Sequence, residues 1–438
     1  MFDKLKSKIF KLLRRSEKYT KTDMVYLAHG QFWLTAGEVV SATSTFLLAI
    51  AFANLLPKET YGTYKYILSI FGILTISTLT GMNIAVSQAV ARGLEGTVMV
   101  ALRKKMLYGT IGSVASLGVA GYYYFQHNTT LALAFLIIAA FVPFMDSYTV
   151  YVAYLEGKKL FKNSTIYLTS NRIIASIILF LGLLLTKNIF IIVCIYFCSW
   201  IILRLITFQR TIHKFPPNSQ SDPSVVAFAR HSSLINVTAS LIASLDTILL
   251  FHYFGAAGVA VYAFAMAPVS QFKRLFNKIP TLAMPKFATR TIWEINQQFW
   301  KRFFLLTMIG VGLTAFYVFI APVVFKTFFP KYMDSVWPSQ IYALTIIFNL
   351  ALAILSPLVN SRLNIIPKRM LYLWNLPAIV LVLSIIITIK PLGVIGVIIS
   401  QVIGGLTSLI LTFIFWEKIK KIEAKNKPLT ESSPTPGA

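Results

Sequence analysis

Leu131–Val142 reads LALAFLIIAAFV, Ile173–Leu185 reads IIASIILFLGLLL, and Ala378–Ile389 reads AIVLVLSIIITI. None of these stretches has a polar face wide enough to meet water, so none is the surface helix of a soluble domain. A helix crossing hydrocarbon needs about 20 mostly apolar residues, and each run reaches that length with its flanks. Working outward from them, similar runs recur along the chain. They predict twelve spans, near 25–54, 64–90, 104–125, 130–155, 164–186, 189–210, 229–254, 258–280, 300–321, 339–359, 370–389 and 392–416. The third is rich in Gly and Ser. The expected fold class is an all-α integral membrane protein.

Composition agrees. The 438-residue chain is 56% hydrophobic and 13% charged, whereas soluble domains carry about 25% charged residues. The formal net charge of +26 raises the possibility of a nucleic-acid partner, but its distribution argues for a membrane. With the N-terminus inside, thirty-four of the 41 Lys and Arg fall on inner segments. Only Lys58, Lys65, Lys187, Lys326, Lys331 and Lys390 fall outside, and Arg172 lies within the fifth span. Basic residues favour cytoplasmic loops, so both termini are expected in the cytoplasm. Met1–Asp23 carries eight basic residues without a cleavable apolar region. Phe2, Leu5, Ile9, Leu12 and Leu13 at helical spacing predict a helix lying on an anionic membrane surface. Pro428–Ala438 is Pro/Ser/Thr-rich, and disorder is expected there. Cys194 and Cys198 lie four apart on one helix face, without a further cluster at metal-ligand spacing, so packing is their expected role.

The chain reads as two halves. Leu56-Pro57-Lys58-Glu59-Thr60-Tyr61-Gly62-Thr63-Tyr64 joins the first two spans, and Phe254-Gly255-Ala256-Ala257-Gly258-Val259-Ala260-Val261-Tyr262 joins the seventh and eighth. Both are short outer turns ending in Tyr at the head of the next helix. Gly157-Lys158-Lys159 and Pro367-Lys368-Arg369 echo one another as inner turns. This implies a basic N-terminal segment 1–24, an N-lobe 25–210, a cytoplasmic linker 211–228 with Pro216, Pro217 and Pro223, a C-lobe 229–417, and a cytoplasmic tail 418–438. Two parallel six-helix halves around a central site is a plan of secondary transporters.

The Leu56–Tyr64 stretch, followed by Gly81-Met82-Asn83 and Ala89-Val90-Ala91-Arg92-Gly93, resembles the polysaccharide exporters of the MOP superfamily, the group that contains the Wzx-type oligosaccharide flippases. Gly157-Lys158-Lys159, Pro285-Lys286 and Phe329-Pro330-Lys331-Tyr332 fit as well, although the family more often has Gly at the place of Pro330. The resemblance runs from about Val25 to Trp416. It implies two six-helix lobes around a central cavity that holds the head of a polyprenyl-diphosphate-linked oligosaccharide. The lipid tail would stay in the bilayer, and the lobes would alternate between inward-open and outward-open forms. It further implies the bacterial cytoplasmic membrane, a monomer, no cofactor, and glycosyltransferases and a polymerase as neighbours in the pathway.

Charges within spans are the candidate site residues, because each costs roughly 2.5–3.5 kcal/mol at the bilayer centre unless it meets a cavity or a partner. Arg274 and Lys278 share a face of span eight, beside Lys273. Arg is suited to diphosphate oxygens, and peptidoglycan-precursor flippases of the superfamily also place basic residues in this helix. Lys273 and Lys278 are expected to snorkel to lipid phosphates. Arg172 lies deeper than snorkelling explains, whereas Arg204 lies near the inner end of span six. The acids are Glu38, flanked by Gly37 and Ser41, Asp146 near Pro143, and Asp246 in the matching first helix of the second half. Glu38 could carry a proton, pair with a base or contact sugar hydroxyls, Asp146 could be a lobe-packing polar group, and Asp246 gains interest from its match to Glu38. A cation-coupled drug exporter would need acids to dominate, and the charge here leans basic. A glycosyltransferase or polymerase needs catalytic groups in a large outer loop, and the longest, about Pro322–Pro338, offers only Asp334 as an acid. An ATP-driven pump would need a Gly-rich phosphate loop, and the sequence has none.

Overall fold

The structure, a computed structural model, describes residues 24–276, 292–362, 366–367, 370 and 372–425. The amphipathic N-terminus, Lys278, Pro285-Lys286 and most of the C-terminal tail lie outside the described residues. Among those described, every regular element is a helix.

The N-lobe comprises α1 (Met24–Leu55), α2 (Lys58–Leu74), α3 (Met82–Ala91), α4 (Thr97–Phe125), α5 (Thr129–Met145), α6 (Val150–Gly157), α7 (Phe161–Leu185) and α8 (Ile189–Lys214). The C-lobe comprises α9 (Val225–Phe276), α10 (Ile292–Phe328), α11 (Val336–Asn360) and α12 (Leu376–Lys425). Two of these helices double back. In α9, Gly255 takes φ 65° and ψ −169°, a conformation essentially reserved for glycine. The Tyr262 hydroxyl hydrogen-bonds Asp246, sixteen residues away. A straight helix would hold the two about 24 Å apart, so the chain reverses between them. Gly393 (φ 59°) does the same in α12, where Thr388 and Ser400 hydroxyls meet at 3.0 Å.

Two other spans are broken without reversing. Between α2 and α3 the chain passes through a 3-10 turn, Thr75–Thr78, and a left-handed Leu79, and the pair is bent by 45°. Between α5 and α6, Pro143 removes a backbone donor and a second 3-10 turn follows at Ser147–Thr149. With α9 and α12 split, and α2–α3 and α5–α6 each joined, the described residues make twelve passes in two six-helix lobes. Length and apolarity alone pick out eight such helices, or nine with the bent α2–α3 pair. The hairpins are each counted once, and α4 falls short because of its small residues. Those residues are its packing face: Gly109, Gly112, Ser116 and Ala120 are buried. A Cβ on Gly109 would sit 2.6 Å from Pro143, and one on Gly112 2.5 Å from Ser77, the close approach that small residues permit. The expected outer loop Pro322–Pro338 is largely helical instead: α10 runs to Phe328, and a 3-10 turn (Pro330–Ser335) leads into α11.

The face bearing Pro57, Gly255 and Gly393 is here called the turn face, and the opposite one the linker face. The lobes meet along a seam of α2 against the first arm of α9. Gly62 lies against Ala256, close enough that a Cβ would fall 1.7 Å from its carbonyl oxygen. Tyr66 stacks on Phe251 at 3.9 Å, Ser69 Oγ donates to the Ser244 carbonyl at 3.1 Å, and Gly81 N–H donates to Ser233 Oγ at 3.0 Å. The two echoing turns of the sequence are therefore packed on each other.

On the turn face further contacts bridge the lobes. Lys58 pairs with Asp334 at 2.7 Å, Lys331 Nζ donates to the Asn54 carbonyl at 2.7 Å, and Asn54 Nδ2 donates to the Phe328 carbonyl at 3.0 Å. Beneath them Tyr61 stacks on Phe264, and Phe46 meets Phe329 edge-on. One apolar cluster thus spans both lobes at this end. On the linker face, the linker is docked on the N-lobe. Asn218 donates to the Gly93 carbonyl and accepts from the N–H groups of Glu95 and Gly96. Asp222 pairs with Arg92.

Candidate functional site

The sequence-predicted charges separate into three groups. The first is internal to the N-lobe. Asp146 occupies the break between α5 and α6, and Lys105 Nζ reaches it at 2.7 Å with its own side chain fully buried. The Thr78 hydroxyl, from the neighbouring break, donates to Asp146 at 3.0 Å. Lys105 also donates to Asn83 Oδ1 at 3.2 Å, and Asn83 donates to Thr149 at 3.3 Å. Polar side chains at and beside the two helix breaks thus satisfy one another within the lobe. Sequence reading assigned Lys105 to an inner segment. Extending the buried stripe Gly109, Gly112, Ser116 back by one turn would have found it. Arg204 is adjacent: its guanidinium donates to the Met145 carbonyl and lies over Trp200 at 4.6 Å, so its side chain has specific partners beyond lipid phosphate.

The second group lies between the lobes. Arg172, on α7, is within electrostatic reach of Glu38 on α1, Arg204 on α8 and Arg274 on the second arm of α9. Arg274 is likewise coupled to Lys65 on α2. Lys65 was counted among outer residues in the sequence, but α2 begins seven residues earlier and carries it inward. Cations from four elements and both lobes thus form a chain, Lys65, Arg274, Arg172 and Arg204, with Glu38 beside Arg172 and Asp146, already paired with Lys105, beside Arg204. Among the described residues none of Arg172, Arg274 and Lys65 is in an ion pair. Glu38 is placed by Gly37, whose missing Cβ would fall 2.4 Å from Thr165. That contact brings α1 and α7 together. On the turn-face side of Glu38 and Arg172, the same two helices form an apolar groove of about 790 Å³ lined by Val40, Leu47, Ile173 and Ile177.

The third group is in the C-lobe. Asp246 accepts from the Tyr262 hydroxyl, from the Thr247 N–H at 2.6 Å and from Gln401 Nε2 at 3.2 Å. It borders a cavity of about 730 Å³ between α9, α11 and α12. Lys273, expected from sequence to snorkel, faces this cavity instead: its Nζ is 3.3 Å from the Tyr342 and Thr345 hydroxyls. Among the described residues no cluster of His, Cys, Asp and Glu could hold a metal ion.

Comparison with solved structures shows what this fold is similar to. An outward-facing multidrug resistance MATE family transporter of the MOP superfamily aligns at 14% identity over 90% of this chain and 96% of its own, with TM-score 0.54. A eukaryotic MATE transporter aligns at 11% over 94% and 99%, with TM-score 0.57. The lipid II flippase MurJ, in an inward closed conformation, aligns at 13% over 91% and 90%, with TM-score 0.58. At these identities the likeness is one of fold. A search of curated proteins by sequence gave no match. A family profile described as polysaccharide biosynthesis protein matches residues 27–290. The chain therefore belongs to the polysaccharide biosynthesis protein family, and it has the fold of the MOP-superfamily transporters.

Proposed function

We propose that the protein flips a polyprenyl-diphosphate-linked oligosaccharide across the bacterial cytoplasmic membrane, from the linker-face leaflet to the turn-face leaflet, for cell-surface polysaccharide assembly. The observation that carries this reading is the chain of cations Lys65, Arg274, Arg172 and Arg204, running between the lobes and ending at the N-lobe interior, where they outnumber the acids Glu38 and Asp146, the latter already paired with Lys105. A diphosphate needs fixed positive charge in a site that hydrocarbon surrounds, and Arg forks match its oxygens. A cationic drug would be repelled there, which disfavours the drug-exporter alternative. Glycosyltransferases would supply the substrate and a polymerase would consume it. The closed turn face fits a state that loads from the linker side. The basic asymmetry of the sequence supports cytoplasmic termini; on that reading a cysteine at Ser219 should resist impermeant labels applied to intact cells, while one at Thr129 should react.

The test is flipping of a fluorescent polyprenyl-diphosphate oligosaccharide in proteoliposomes. A charge-assisted contact is worth about 1.5–3 kcal/mol, so Arg172→Ala and Arg274→Ala should each slow flipping about 10- to 100-fold while accumulating normally. Arg274→Lys should retain part of the rate. Full rates in both alanine variants would refute the reading.

A further inference from the structure

The C-lobe cavity has features that a diphosphate site between the lobes does not require. Its volume, about 730 Å³, is that of a ligand pocket. Among the described residues, the groups that contact the Lys273 ammonium there are neutral: the Tyr342 and Thr345 hydroxyls at 3.3 Å and the Tyr342 ring at 4.9 Å. These groups orient the ammonium without neutralising it. Among the described residues no carboxylate forms an ion pair with it. Asp246 borders the same cavity, but its oxygens are occupied by Tyr262, Thr247 and Gln401. Tyr262 and Lys273 lie eleven residues apart on one helical arm, about 16 Å along the axis, and Tyr342, which Lys273 reaches, stands between the cation and the Tyr262–Asp246 pair. The rest of the lining suits a sugar. Trp374 is half-exposed and held flat against Phe415 at 5.5 Å, giving an apolar platform for a pyranose face. Asn349 and Gln401 supply amides for hydroxyl groups.

We propose that this cavity is a sugar subsite that selects an oligosaccharide bearing a carboxylate, with Lys273 as the counter-cation. Lysine and arginine can both hold a carboxylate; what sets Lys273 apart is its place, inside a C-lobe cavity beside two hydroxyls and amide side chains, away from the guanidiniums grouped around Arg172. The inference rests on the flippase reading for its substrate class.

The experiment measures binding to full-length protein in nanodiscs with three probes: a short oligosaccharide ending in a hexuronic acid, its carboxyl-reduced neutral counterpart, and farnesyl diphosphate. Wild type should prefer the uronate by about tenfold, equivalent to about 1.4 kcal/mol. Lys273→Gln should remove that preference, and Lys273→Arg, which controls for folding, should keep most of it. Farnesyl diphosphate binding should be unchanged by Lys273→Gln and weakened by Arg172→Ala. Equal binding of the two sugars by wild type, or a preference that survives Lys273→Gln, overturns the proposal and leaves the flippase reading standing. A parallel loss of farnesyl diphosphate binding in Lys273→Gln also overturns it, because the cavity would then belong to the diphosphate site. A uronate preference that depends on Lys273, with no binding of farnesyl diphosphate in wild type, supports the sugar subsite and removes the flippase reading.

Discussion

Lys105 and Asp146 illustrate what a buried charge requires. The lysine side chain is fully buried and the aspartate is 28% exposed, so the two partners are not equivalent. Removing the carboxylate strands a cation with no water, while removing the cation leaves an acid that still reaches Thr78 and some solvent. Asp146→Asn should therefore destabilise more than Lys105→Met. Breaking a buried pair costs about 3–5 kcal/mol, and the order of melting temperatures in detergent checks the asymmetry. The acids Glu38, Asp146 and Asp246 were visible in the sequence as charges within apolar runs. Their separation into three environments, two of them linked through Arg204, was not visible, because helical periodicity gives a residue's face but not the helix opposite. The same limit hid Lys65 and Lys273, which read as end-of-span residues until the true helix starts were known.

At the scale of elements, small residues carry the tightest contacts. Gly62→Val should abolish accumulation of the folded protein, since even one Cβ would overlap the Ala256 carbonyl. Gly118→Ala and Gly121→Ala, where nothing lies within 4 Å, should leave it unchanged. Expression with a fluorescent fusion and size-exclusion profiles distinguishes them. The span count was legible because each apolar run matches a membrane thickness. The Gly and Ser content that weakened the third span in the sequence is the face by which α4 meets its neighbours. The linker was expected as a joint, and its docking was not legible, since it depends on Asn218 and Asp222 finding partners 122 to 130 residues away. The Ser224 hydroxyl and N–H, together with Arg92, hold the Asp222 carboxyl below the usual carboxylate range. A depressed acid stabilises the docked form above its unfolded value and loses that contribution as pH falls through the folded one. Protection factors across 216–224, with the intrinsic pH dependence of exchange divided out, should thus stay flat from about pH 8 to 5 and fall only below the ordinary carboxylate range near 3.9.

At the scale of the whole molecule, the turn face is held shut by contacts that are weak one by one. Lys58 and Asp334 are 31% and 49% exposed, so their pair is worth at most about 1 kcal/mol. That is still enough to change a two-state ratio about fivefold. Lys58→Glu, which places like charges together, should shift the population toward an open turn face. Spin labels at Lys187 and Lys390, one on each lobe at that end, should report a longer distance in the variant. An unchanged distance distribution would mean that the aromatic contacts beneath set the equilibrium alone.

The bend between α2 and α3 has a bearing on the cell's energy supply. A water-lined passage between lobes is a hazard to any membrane that stores an ion gradient, because a moment with both ends open would short-circuit it. A straight, stiff seam between the lobes would part along its whole length at once. This seam instead has a joint at Thr75–Gly81, with a 45° bend, so the length above it and the length below it can separate independently. On the flippase reading, the left-handed Leu79 (φ 57°) would sit where the membrane's electrical insulation has to be kept while cargo crosses. Stiffening the joint should show itself first as proton leak in sealed vesicles, before any change in how tightly the cargo is held.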